Sequence, residues 1–290
     1  MRIVIGIIIY HEDLEALKKD LLMFSRQTLW QEEPETDCRV VILDNGEGAQ
    51  IEEVRELARR FLPESFASRL VCLASEDVGF GRGHNKIFNY AKDNFAFDYY
   101  LCCSPDGCPH PEMLSRLLAF ARKNQDRGIY EAGHFPAERC EPYDRNTGLT
   151  PWVSGCCVLF PRKIYEQLKG FDKNFFMYVE DVDISWRTRL LGYGCYTVEG
   201  AWFCHFVNLE KRNPEFISSN IYISGYRLAR KFRHKKFAKY CLKGLKRFLK
   251  PQEIQDLIRE ADALQEEYRE YQFQKFMDFR HEFHFSPTRW

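Results

Sequence analysis

The sequence has no apolar run long enough to cross a bilayer. Its longest, Ile3 to Ile9, falls far below the roughly 18 residues a spanning helix needs. The run is no secretion signal either, because His11, Glu12 and Asp13 follow at once and no small-residue cleavage site appears. An excess of either charge is also missing: 42 Lys and Arg face 42 Asp and Glu, which argues against a surface that binds nucleic acid throughout. The eleven cysteines contain no CxxC pair and are odd in number. That spacing suits neither a disulfide framework nor a structural zinc site. Most stand among Val, Leu, Phe and Tyr, where a thiol packs as a small apolar group, and the expected compartment is a reducing cytoplasm. Disorder is excluded by a hydrophobic share of 45% with 15% aromatic residues.

What is present is an alternation of strand and helix patterns. Ile3 to Tyr10 is a β-branched run of the kind a parallel strand shows when buried on both faces. Leu14, Leu17, Leu21, Leu22 and Phe24 then recur at helical spacing. Further strands are predicted at Arg39 to Leu43, Leu70 to Leu73 and Tyr99 to Cys103. Helices are predicted around Ile51 to Phe61, Phe88 to Asn94 and Pro111 to Lys123. This order predicts an open α/β sheet with its site at the strand ends. A dinucleotide-binding domain would carry GxGxxG after the first strand, and that motif is absent. The glycines of Gly79-Phe80-Gly81-Arg82-Gly83 follow the third strand, where a plain turn explains them as well as a phosphate cradle.

Composition shifts near residue 215. Residues 216–252 hold no Asp or Glu but eleven Lys and Arg, whereas 253–290 carry nine acids against five bases. The boundary divides a mixed domain, 1–215, from a basic then acidic helical region, 216–290.

Three groups of carboxylates stand where chemistry is expected. Asp44, at a strand end before Asn45-Gly46, suits hydrogen bonds to a base imide or ribose hydroxyl, or equally an Asx turn. Asp106, in Ser104-Pro105-Asp106 after the fourth predicted strand, suits a divalent cation on a diphosphate. A turn or helix cap explains it as well. In Glu180-Asp181-Val182-Asp183, a helix starting near Glu180 puts Asp183 and Arg187 at i, i+4, where they pair. Asp181 then points elsewhere, free for proton transfer among aromatic neighbours that would tune its basicity.

Together these segments resemble the family 2 glycosyltransferases of GT-A fold, especially their rhamnosyltransferase-like members. The resemblance runs through Ser25-Arg26-Gln27-Thr28, Val41-Ile42-Leu43-Asp44-Asn45, and Asp77-Val78-Gly79-Phe80-Gly81-Arg82-Gly83-His84-Asn85. It continues through Ser104-Pro105-Asp106, Ser154-Gly155-Cys156-Cys157, Gly170-Phe171-Asp172 and Glu180-Asp181-Val182-Asp183. It implies a Rossmann-like mixed sheet flanked by helices, and an inverting transfer of sugar, first rhamnose, from a dTDP- or UDP-sugar to a saccharide or polyprenyl-linked acceptor in surface polysaccharide assembly. Asp44, Asn45, Gly79, Arg82, Asn85 and Ser104 would contact the donor. Asp106 and His205 would hold Mg²⁺ or Mn²⁺, although a buried structural role for His205 fits as well. Asp181 would be the base, Glu180 would stand beside it, and Trp152 and Asp183 would lie on the acceptor side. His84 is a further candidate for the donor phosphates. Departures exist: His11 and Asp77 replace Asn, and Ser104 replaces the first Asp of DxD, leaving one carboxylate for metal. The alternatives are a sugar-phosphate nucleotidyltransferase, for which the loop after the first strand lacks glycines, and a non-catalytic protein that keeps the fold.

In the basic region Arg227, Arg230 and Lys231 share a helix face, with Tyr226, Phe232, Phe237 and Tyr240 interleaved. Such a composition suits docking on an anionic membrane surface, which would place the protein at the inner face of the cell membrane. Pairing with the acidic tail, within the chain or across a homodimer, is the competing expectation. Nothing resembles a nucleic-acid module.

Overall fold

Ile3, Ile5, Ile7 and Ile9 face one side of a central strand, β1 (Arg2–Ile9), and Val4 and Ile8 face the other. Both sides are buried, which is why the run is unbroken. In the computed structural model, which describes residues 1–135, 143–205 and 213–279, the chain continues through α1 (Leu14–Ser25), α2 (Leu29–Glu32), β2 (Asp37–Asp44), α3 (Ile51–Phe61), α4 (Glu64–Ala67), β3 (Leu70–Ala74), α5 (Phe80–Asn94) and β4 (Tyr99–Cys103). Next come β5 (Gly107–Pro109), α6 (Met113–Lys123), β6 (Gly128–Phe135), β7 (Cys157–Pro161), α7 (Arg162–Leu168), α8 (Glu180–Leu190) and β8 (Gly194–His205). Three helices end the described chain: α9 (Pro214–Lys231), α10 (Lys235–Leu245) and α11 (Pro251–Ala263).

The strands form one sheet in the order β3-β2-β1-β4-β7-β6-β8-β5. β3, β2, β1 and β4 run parallel, and β7 is antiparallel to β4 and β6. β8 lies parallel to β6, and β5 returns antiparallel on β8. Because β1 pairs with both β2 and β4, the strand order reverses beside it. A crevice opens at the carboxyl ends of strands around such a reversal. Leu17, Leu21 and Phe24 of α1 pack on one face of the sheet with Leu117 of α6, while Ile87 and Phe88 of α5 pack on the other with Tyr165 of α7.

The glycine-rich segment is neither a turn nor a loop. It forms the first turn of α5, reaching back to Phe80. A Cβ on Gly83 would stand 2.6 Å from Ile8, so glycine lets the helix approach β1 closely.

The C-terminal helices do not form a core of their own. Tyr226, Leu228, Phe232, Phe237 and Cys241 share a cluster with Trp152, Phe175, Val179 and Trp186. The change of composition near 215 coincides with the start of α9, but the packing crosses it. Part of the basic region is spent inside the chain: Arg227 reaches Glu260 at 2.9 Å, and Arg230 pairs with Asp262. No helix among the described residues is long and apolar enough to cross a membrane. Ten cysteines fall in the described residues and are free thiols, most of them buried.

Candidate functional site

Asp44 and Asn45 end β2 beside the reversal of strand order. The Asp44 carboxylate accepts Gly46 N–H and Gln50 N–H, both at 2.8 Å, and so shapes the turn into α3. This is the Asx-turn role, filled by a fully buried side chain. Asn45 donates through Nδ2 to the Gly79 carbonyl at 3.3 Å, joining the ends of β2 and the start of α5. Its buried Oδ1 has no hydrogen-bond partner among the described residues. Gly79 sits at φ 78°, and a Cβ there would lie 1.9 Å from the Phe176 carbonyl oxygen, so no other residue fits. Arg82 is exposed on the first turn of α5.

Beyond β4 the chain passes through Ser104 to Asp106. Pairing of β5 with β8 sets Gly107 opposite His205, and this brings Asp106 Oδ1 to 3.1 Å from His205 Nε2. The two expected metal ligands therefore meet, although 99 positions separate them. Among the described residues no three His, Cys, Asp or Glu side chains converge as a closed site. An Asp–His pair suits a cation that takes its other ligands from a diphosphate and water, as Mg²⁺ commonly does. It does not suit a structural metal held by protein alone. His134, on β6, stands with its ring 6.2 Å from that of His205 and its Nε2 2.8 Å from the Cys156 thiol.

The third cluster begins α8. Two residues before it, Tyr178 and Val179, have φ of 64° and 68°. For a β-branched valine this conformation is strained, and the buried packing of Val179 holds it. The Asp181 carboxylate accepts Val182 N–H at 2.8 Å and Gly155 N–H at 3.2 Å. The next carbonyl, that of Cys156, accepts Ser104 N–H at 2.8 Å. Consecutive residues of one loop thus tie the start of α8 to the end of β4. A second carboxylate, Glu131 of β6, fixes that loop from below by accepting Ser154 N–H at 2.7 Å. Burial, and then the neighbouring Asp181 charge, push Glu180 well above the usual carboxylate range. The environments of adjacent carboxyl groups are thereby made unlike.

No family model matches the chain. A segment of 68 residues is 41% identical to an N-acetylglucosaminyl-diphospho-decaprenol L-rhamnosyltransferase of Mycobacterium tuberculosis. That match spans 23% of this chain and 21% of the relative. Solved structures superpose over far more of it. GalNAc-T7 with UDP, GalNAc and Mn²⁺ gives a TM-score of 0.69 at 14% identity, covering 95% of this chain and 55% of that one. The mannosyltransferase PcManGT of Pyrobaculum calidifontis, with GDP-Man and Mn²⁺, gives 0.59 at 14%, covering 92% and 82%. Residues 1–349 of S. aureus TarS with UDP give 0.58 at 15%, covering 96% and 85%. The chain has the GT-A glycosyltransferase fold.

Within this GT-A frame several expected site residues are engaged elsewhere. Asp183 is fully buried, with Arg187 at 2.7 Å on one oxygen and Lys231 at 2.7 Å on the other. Its pairing with Arg187 is the one the i, i+4 spacing predicts; its oxygens face cations rather than an acceptor. Trp152 is buried against the C-terminal helices, so its ring is no open platform. Among the described residues the exposed indole is Trp202, on β8 and 41% accessible. Asn85 spends its amide on Phe171 N–H, the Phe171 carbonyl and the Tyr165 hydroxyl, which makes it an anchor of the 171 loop. His84 is no phosphate contact: it is fully buried, bonded to the Tyr100 hydroxyl at 2.7 Å, and burial lowers its pKa to about 3.

Sequence reasoning missed Glu131, His134 and Asp20. Asp20 is fully buried in α1, and neither of its oxygens has a hydrogen-bond partner among the described residues. Burial first, and the charge of Asp106 second, raise its pKa well above the ordinary value. The signal was its place three residues after Leu17 and one before Leu21, on the inner face of the helix.

Proposed function

We propose that this GT-A protein transfers a sugar from a nucleoside-diphosphate donor to an acceptor hydroxyl, inverting the anomeric centre. The observation that carries this reading is the loop junction at Gly155 and Cys156. It joins Asp181 to the strand end two residues before Asp106, which pairs with His205, and this supports a reading in which a proton acceptor and a cation-binding pair serve one substrate.

Asp44 and Asn45 suit the base or ribose, and Gly79, Arg82 and Ser104 line the route to the diphosphate. A Mg²⁺ or Mn²⁺ ion held by Asp106 and His205 would offset the charge that builds on the departing diphosphate. Asp181 takes the acceptor hydroxyl proton as that oxygen bonds to the anomeric carbon. The bond from that carbon to the diphosphate oxygen breaks in the same step, through an oxocarbenium-like state. A single base on the face opposite the leaving group implies direct displacement, hence inversion. Glu180, buried beside Asp181 with its pKa raised by burial first and the Asp181 charge second, shapes the acceptor end.

Rhamnose from dTDP-rhamnose is the first choice of donor, and a lipid-linked saccharide is the first choice of acceptor. Both are supported by the partial likeness to the mycobacterial protein, whose name specifies rhamnosyl transfer to a decaprenol-linked sugar. Surface polysaccharide assembly is the setting this implies. UDP-linked galactofuranose, hexose or N-acetylhexosamine are the competing donors. A thermal-shift panel of dTDP-, UDP- and GDP-sugars with and without Mn²⁺ tests the reading. A donor at one hundred times its Kd stabilises by about 2.7 kcal/mol, a shift of several degrees. Stabilisation by dTDP-rhamnose with Mn²⁺ supports the proposal, and no shift with any donor ends it.

A further inference from the structure

The basic region divides into two parts with different fates. On α9, Arg227 and Arg230 are paired with Glu260 and Asp262, and Lys231 is buried between Asp172 and Asp183. On α10 the cations are exposed instead. At roughly 100° per residue, Lys235, Lys236, Lys239 and Lys243 fall within an arc of about 100°. Phe237, Ala238, Cys241 and Leu245 occupy an opposite arc of about the same width and are buried. Lys246, Arg247 and Lys250 follow directly and are exposed too. None of these seven pairs with an acid among the described residues, and no Asp or Glu occurs from 216 to 252.

The acids of the following helix do not reach back to this face. Glu260 and Asp262 are taken by α9, Asp256 by Arg259, and Glu253 accepts Lys250 N–H at the start of α11. The stripe is therefore left for an anion outside the described chain. Its aromatic neighbours are not arranged to stack on bases. Tyr222 packs its ring on Tyr240 at 5.9 Å and on Phe248 at 6.1 Å, at the edge of the helix pair. A single-strand binder would present such rings open beside the cations. Amphipathic rings at the rim of a lysine stripe instead match the headgroup level of a bilayer.

We propose that the exposed face of α10, continued by Lys246, Arg247 and Lys250, docks the protein on an anionic lipid surface. The occupant is the lipid headgroup layer itself. The attraction is electrostatic, so it falls off within a Debye length and weakens with salt.

The test uses the full chain with vesicles of phosphatidylcholine alone, or with one quarter phosphatidylglycerol, in a sedimentation assay. Binding to the anionic vesicles only, released by 0.5 M salt, is expected. The combined variant Lys236→Gln, Lys239→Gln, Lys243→Gln should lower the partition coefficient about a hundredfold, near fivefold per lysine. If its unfolding midpoint differs from that of the parent, Lys239→Gln alone is read for the fivefold loss. Equal binding to neutral vesicles, no binding at low salt, or unchanged binding by the variants overturns the proposal. So does tight binding of a single-stranded RNA oligonucleotide with no vesicle binding. The assay needs neither donor nor acceptor, so its failure leaves the transferase reading standing, and the donor panel can fail without touching this one.

Discussion

Lys231, the last residue of α9, sets its ammonium 2.7 Å from Asp183 in α8. The same nitrogen donates to Asp172 at 2.7 Å, and Asp183 also accepts from Arg187. All four side chains are buried. Although burial alone would raise it, Lys231 holds Asp172 below the usual carboxylate range. This contribution is present above the unfolded-state value and is lost as pH falls through the lower folded value. Removing one member strands buried charge, so Lys231→Met is expected to cost about 3–5 kcal/mol. Urea unfolding at pH 7 measures it; a cost under about 1 kcal/mol would show the network to be incidental.

Asp181→Asn keeps the shape but only one of the two backbone hydrogen-bond acceptor positions, and it removes the base. Turnover is expected to fall by about 10²–10⁴, with donor affinity within about twofold of the parent. Calorimetry with donor and a transfer assay together check this. An active Asp181→Asn protein would shift the base to another group.

Asp106→Asn and His205→Gln should each weaken Mn²⁺ binding in the presence of nucleoside diphosphate, by about 10- to 100-fold. Enhancement of water proton relaxation by Mn²⁺ reports this without turnover. If both variants bind Mn²⁺ like the parent, their 3.1 Å approach is structural only.

Asp20 gives a pH-dependent prediction. Its folded pKa is raised, so between the unfolded value near 3.9 and the folded one, the native state holds a proton that the unfolded chain has released. Stability then falls as pH rises through that window, at about 1.4 kcal/mol per unit. Asp20→Asn removes this slope. The variant should melt above the parent at pH 7, with the gap closing towards pH 4. A variant that melts at or below the parent at pH 7 would mean that Asp20 is compensated in solution.

The sequence was most legible where burial is symmetric. β1 reads as a strand because both its faces are covered, and Asp183–Arg187 reads as a pair because helical spacing is local. β6 and β8 carry no such signature. Glu131 and His134 interrupt β6 with buried polar groups, and the β6–β8 register shifts at Ala132 and Gly133. The meeting of Asp106 with His205 depends on the pairing of the three-residue β5 with β8, so only the resemblance to a family suggested it. Lys231 was read as part of an exposed basic face, because its two acids lie 48 and 59 positions earlier and no periodicity links them. The stripe on α10, whose positions all lie within one helix, needed only helical geometry to emerge.

The packing across residue 215 limits how the chain can be cut. A fragment ending before α9 would uncover Phe175, Val179 and Trp186 and strand Asp172 and Asp183 without their lysine. It would also release the packing that keeps Val179 left-handed ahead of Asp181. The minimal transferable unit is therefore not the sheet with its flanking helices. Anyone grafting the start of α8 onto another scaffold would have to carry α9, α10 and α11 with it.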